Sequence, residues 1–207
     1  VGDVQLSKDI ITTAALEILD EYGLQDLTIR RLARHLNMAA GAMYWHFPSK
    51  QALLGAVATR ILDAAGPATV SGDWRADVVA RSEYLRTALT AHTDGAEVVS
   101  AALAAGTLEH SPAADIATLL EPVAIDDTTR GDAAATLLHF ILGATVDEQT
   151  ARRAAAAEAL GAGPAGTGDP GEAADAAETE PAQPARRLRR GVDIIVAGIG
   201  ALAATGA

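Results

Sequence analysis

LTIRRLARHLNMAAGAMYWHFPSK, residues 27–50, holds two short helical patterns separated by a turn signal. In the first, Ile29, Leu32, Ala33 and Leu36 recur at the three- and four-residue spacing of one helix face. Thr28 stands where an N-cap hydroxyl belongs. Asn37 follows at the point where the chain must turn, and after Gly it is Asn that best tolerates the left-handed conformation. Met38 is expected to pack inward, and a third helix is predicted over about 39–46. Two short helices joined by a tight turn form a helix-turn-helix.

The chemistry of the second pattern suits a helix that reads a DNA groove. Such a helix must lie close to base edges. Ala39, Ala40 and Gly41 are small enough to permit that approach. Ala40 can touch a thymine methyl, while Gly41 acts only through its backbone or by leaving room. Met43 is expected in the core. Tyr44 can bond a phosphate through its hydroxyl or lay its ring on a sugar or thymine methyl. His46 can bond phosphate or base, and Lys50 suits a phosphate. Arg30 is the candidate for a direct base contact, and Thr28 can reach a phosphate while capping. Trp45 and Phe47 are expected to lock the third and fourth helices together. Each residue alone has a plainer reading: Tyr44 in packing, His46 on the surface, Arg31 and Arg34 simply solvated. The combination carries the argument.

Outward from this stretch the chain continues to read as helix. Residues 8–21 present Ile11, Ala14, Ala15, Ile18 and Leu19 on one face, with Ser7 as N-cap and Gly23 as stop. A fourth helix begins near Ser49, with Leu53, Leu54, Val57, Ile61 and Leu62 inward. Further helices are predicted at about 73–92, with Trp74, Val78, Leu85 and Leu89 inward, and at about 95–104, 112–120, 126–145, 147–160 and 186–204. Residues 161–185 are Gly, Pro, Ala, Asp and Glu with almost nothing to bury, and read as a flexible acidic loop. No segment reads as a strand. The fold expected is all-α: a helix-turn-helix domain over residues 1–50, a linking helix over about 49–65, and a larger helical domain over 66–207.

The charge distribution bears on this reading. The 207-residue chain carries a net charge of -11, which opposes contact with phosphate. Yet no acidic residue lies between Asp26 and Asp63, where Arg30, Arg31, Arg34 and Lys50 fall. The basic patch is local. There is no cysteine, so neither a disulfide nor thiolate chemistry is available. No apolar run reaches the length of a membrane span, and the first residues lack a signal-peptide layout. A cytoplasmic protein with no membrane partner is expected. Clustered histidines, a phosphate-binding glycine loop and a nucleophile elbow are all missing, so an enzyme is not.

The segment LTIRRLARHLNMAAGAMYWHFPSKQALLGAV resembles the DNA-binding domain of the TetR family of transcriptional regulators, down to Tyr44, His46, Phe47 and Lys50. The resemblance assigns DNA contact to Thr28, Arg30, Ala40, Gly41, Tyr44, His46 and Lys50. Three later islands, LTAHTDGAEVV (89–99), LLHFILGATVDEQTAR (137–152) and RRGVDIIVAGIGAL (189–202), resemble the tetracycline-repressor subgroup. The resemblance implies a homodimer joined through two C-terminal helices, a double-stranded DNA operator and a small-molecule inducer. The dimer stripes would be Leu137, Leu138, Ile141, Leu142 and Thr145 on one helix and Ile194, Ile195, Ile199 and Leu202 on the other. Gly143, Gly191, Gly198 and Gly200 would allow close approach.

The sensor half departs from the subgroup. Val99 and Gly66 stand where histidines are expected, and Arg81 and Leu85 where an amide and an aromatic are. Glu148 alone matches an acidic residue near the metal. No metal, no cofactor and no tetracycline are therefore expected. Arg81, Leu85, Leu89, Val99, Leu103, Leu108, Leu138 and Leu142 are the candidate pocket residues, suited to a mainly apolar ligand with an anionic or carbonyl group for Arg81. The reading is a ligand-released repressor; an activator, or a ligand-independent DNA-binding protein of the same fold, is the alternative.

Overall fold

The computed structural model describes residues 7–161 and 182–205. Among the described residues every regular element is helical: α1 (Lys8–Tyr22), α2 (Ile29–His35), α3 (Ala40–Met43), α4 (Lys50–Asp63), α5 (Trp74–Thr90), α6 (Gly95–Ala104), α7 (Pro112–Leu119), α8 (Asp127–Gly161) and α9 (Ala182–Thr205). The all-α expectation holds.

The helix starts follow from side chains that take up otherwise unpaired backbone N–H groups. Ser7, Thr28 and Ser49 accept from Ile10, Arg31 and Ala52 at 3.3, 3.1 and 3.1 Å. Asp126 opens α8 by accepting from the Thr128 and Thr129 N–H groups at 2.9 and 3.0 Å. The Thr129 hydroxyl is the largest of the contacts that hold the Asp126 carboxyl below its ordinary pKa. Ahead of α5, the Ser71 hydroxyl donates to Asp77 at 2.6 Å and lowers that carboxyl in the same way. At the end of α1, Gly23 takes φ 81° and returns its N–H to Leu19.

Three segments differ from the sequence expectation. The helix predicted over 39–46 is only Ala40–Met43. Beyond it the Trp45 and His46 N–H groups turn to carbonyls three residues back, and Pro48 disfavours helix at the residue before it. The helices predicted at 126–145 and 147–160 are one, α8. Gly143 weakens a helix by about 1 kcal/mol against Ala without ending it, and no proline follows to break the alanine-rich stretch. Residues 182–185, expected at the end of the loop, open α9. The rest of that loop, 162–181, lies outside the described residues.

By packing, the chain forms two compact units. The first comprises the residues up to Pro67 with Thr87–Pro112, and the second Ala68–Arg86 with the residues from Ala113 on. In the first, α1 packs on α2 and α4, α2 on α3, and α4 on α6. Its core includes Ile11, Ile18, Leu19, Leu32, Met43, Phe47, Leu53, Val57 and Ile61, all at or below 3% exposure. The α4–α6 packing is close: a β-carbon on Gly55 would sit 2.5 Å from the Thr107 carbonyl oxygen. The α5–α6 corner is tied to the end of α1. Asp20 accepts from the Thr93 N–H at 3.0 Å and faces His92 Nδ1 at 2.9 Å, and Asp94 accepts from the Leu24 N–H at 2.9 Å. In the second unit α8 packs on α9, where Gly191 lies so close to the Phe140 ring that a β-carbon would overlap it.

Candidate nucleic-acid interface and sensor residues

The helix-turn-helix is built as its sequence demands. Asn37 has φ 53°, the left-handed turn on which the α2–α3 angle depends. Met43 is fully buried beneath α3 and Phe47 is 3% exposed. In the turn that follows α3 the Phe47 N–H returns to the Met43 carbonyl at 2.9 Å, which keeps positions 43 and 47 together, while position 45 lies between them on the outside of the turn. Trp45 is accordingly 90% exposed and does not lock the third helix to the fourth. That expectation is corrected for Trp45; of the two rings only Phe47 is buried, with Lys8 Nζ of α1 5.8 Å from its centroid.

The seven candidate DNA contacts all lie in the first unit. Thr28, Arg30, Ala40, Gly41 and Tyr44 are exposed, and His46 and Lys50 are half-buried. Thr28 Oγ1 serves as the α2 cap, which leaves its proton to donate elsewhere. A β-carbon on Gly41 would meet nothing within 4 Å. Arg30 and Ala40 line one groove of about 420 Å³, shared with Arg34, Asn37 and Ala39.

Cations in this unit divide into paired and unpaired. Arg31 is held by Asp26 and lies 3.9 Å over the Tyr22 ring. Arg60 pairs with Asp9 at 2.8 Å. Arg30, Arg34 and Lys50 have no carboxylate in ion-pair range among the described residues. The sequence had set Arg34 aside as solvated; its helical spacing of four from Arg30 was the available signal that the two share a face.

The eight candidate pocket residues divide between the units. Leu89 and Val99 are buried in the first, with Leu103 and Leu108 half-buried there. Arg81, Leu85, Leu138 and Leu142 are buried in the second. Arg81, 5% exposed, donates to Asp115 of α7 at 2.8 Å. Its charge is thus balanced from within the unit. Two grooves of the second unit, of about 450 and 790 Å³, are lined by other residues, among them Arg75 and Glu83 in one and His139, Asp147 and Arg187 in the other.

Glu148 also has an internal explanation. Its carboxylate is 2% exposed and accepts two hydrogen bonds from Arg86, at 2.8 and 2.5 Å, with Arg152 as a second partner. Two guanidinium groups around one carboxylate do not suit a divalent cation. Among the described residues no three His, Asp or Glu side chains gather as a metal site would require.

Residues 11–57 match the family described as "Bacterial regulatory proteins, tetR family", and residues 66–167 match "Tetracyclin repressor-like, C-terminal domain". The chain is 34% identical over 152 residues to the tetracycline repressor protein class A from transposon 1721 of Escherichia coli, covering 70% of this chain and 68% of that one. The crystal structure of BioQ with its natural double-stranded DNA operator is similar with TM-score 0.77 and 35% identity, covering 95% of this chain and 99% of the other. Mycobacterium smegmatis BioQ is similar with TM-score 0.78, at the same identity and coverage.

Proposed function

Since this chain belongs to the TetR family of DNA-binding transcriptional regulators, we propose that it is a repressor. As a homodimer it occupies a palindromic operator, and a small, mainly apolar molecule releases it. The observation that carries the DNA half is the first unit's surface around α3. Ala40 and Gly41 are exposed and nearly bare, Tyr44 beside them is 54% exposed, and Arg30 opens onto the same groove as Ala40. Small residues let the helix approach, Arg30 supplies a bidentate donor for a base edge, and Tyr44, His46, Thr28 and Lys50 hold the register through the backbone.

The homodimer is supported by what α8 and α9 leave uncovered. Ile194 is 73% and Leu202 42% exposed, and Gly143 and Gly198 face open space. An apolar, glycine-marked helix surface is what a second copy would bury in an isologous interface. Ile199, by contrast, is buried within its own unit, as are Leu137, Leu138, Ile141, Leu142 and Thr145 of α8, and half-buried Gly191 lies against Phe140.

For release, the ligand must bind the off-operator conformation more tightly than the DNA-bound one. The proposed contacts are taken unit by unit: Leu89, Val99, Leu103 and Leu108 in the first, and Arg81, Leu85, Leu138 and Leu142 in the second. With Arg81 neutralised by Asp115, apolar contact dominates the recognition. No metal takes part in it, because Glu148 is already spoken for.

Tyr44→Ala tests the DNA half. The side chain is exposed, so the fold survives, as far-UV circular dichroism will report. Operator affinity measured by fluorescence anisotropy falls at least about tenfold, the equivalent of about 1.4 kcal/mol. Unchanged affinity would sink the assignment of α3 and its flank.

A further inference from the structure

We propose that Arg34 is a second DNA-contacting arginine, which holds a backbone phosphate one helical turn along α2 from the base-reading Arg30. This rests on the DNA-binding reading of the first unit and extends it to a residue that neither the sequence motif nor the family resemblance assigns.

Three observations meet at Arg34. Arg30 and Arg34 are four residues apart on α2, the spacing that places two side chains on one helix face, and both are exposed. Both line the groove that also contains Ala39 and Ala40, at the start of α3. Finally, neither has a carboxylate in ion-pair range among the described residues, although Arg31 between them is held by Asp26. The sequence contains no acidic residue from Leu27 to Leu62 that could serve either one.

Two like charges a turn apart on a helix repel each other. That repulsion is relieved when an anion lies along the face. A duplex presents one strand's phosphates as a row beside the groove in which α3 would lie. Arg30 at the first turn of α2 is placed for the base edge, and Arg34, one turn further, for the strand that borders it. The chain is acidic overall, so each uncompensated cation of this unit counts heavily in phosphate contact.

The test is the salt dependence of binding by wild type, Arg34→Gln and Arg34→Lys. Two duplexes are used, one carrying a site selected by the wild-type protein and one with the same sequence scrambled. Removing one phosphate contact lowers the slope of log affinity against log salt by about 0.9 per contact. Arg34→Gln should show that drop and weaken binding to both duplexes by a similar factor. Arg34→Lys should retain the slope. An unchanged slope and affinity in Arg34→Gln overturns the proposal. A loss confined to the selected duplex, with altered base preference, also overturns it, because Arg34 would then read a base. If selection with wild type yields no bound duplex, the DNA-binding reading fails together with the role of Arg34. Wild-type binding with a silent Arg34→Gln fails this inference alone.

Discussion

Gly41 has room for a side chain and does not carry one. Its φ is not left-handed, and a β-carbon would touch nothing, so nothing within the protein calls for glycine. The account places the requirement in the DNA, where a backbone that approaches base edges leaves no space for a methyl group. Gly41→Ala is therefore expected to separate stability from function. Alanine in a helix is favoured over glycine by about 1 kcal/mol, so thermal unfolding should move up or stay, while operator affinity falls. Retained affinity would show that the groove does not come so close. Single residues were unevenly legible in the sequence. The caps at Ser7, Thr28 and Ser49 and the left-handed Asn37 were readable, because local backbone chemistry dictates them. Trp45 was not: a large apolar ring suggests burial by type, and only its place on the outside of the turn between Met43 and Phe47 shows that it faces outward.

Among the elements, α5 and α8 show why helices can be read from sequence while their partners cannot. Glu148 drew notice through its likeness to an acidic residue near a metal. Its actual partner, Arg86, stands 62 residues away in sequence, and no periodicity encodes that distance. The pair is buried, with Glu148 at 2% and Arg86 at 15% side-chain exposure. Removing one member strands the other's charge, at a cost of about 3–5 kcal/mol. Glu148→Ala should lower the urea midpoint of unfolding by that order. Glu148→Leu combined with Arg86→Met should recover most of the loss, since apolar replacement of a whole buried pair is often neutral or better. A double variant no better than Glu148→Ala would mean that the two helices depend on the ion pair rather than on filled volume. The continuity of α8 was missed for a related reason. Gly143 looks like punctuation locally, while the alanine-rich run beyond it continues the helix without a break.

At the scale of the whole molecule, the acidic total and the DNA-binding reading are reconciled by position. The negative charge lies on the rest of the chain, and the stretch from Leu27 to Leu62 is free of acids. Such a protein gains little from non-specific attraction and depends on a matched site. The helix-turn-helix and the all-α class were legible because a short, dense motif specifies them. The eight pocket candidates were less so, because leucines of a binding cavity and leucines of a core look the same in sequence. The central claim is that this chain is a dimeric reader of a palindromic site. It is tested most directly by selecting bound sequences from a random duplex library. The account predicts enrichment of an inverted repeat, its half-sites about one helical turn (about 34–36 Å) or a multiple of that apart, bound by two copies of the chain. Recovery of no common sequence, or of an unrepeated half-site bound by a single copy, would contradict it.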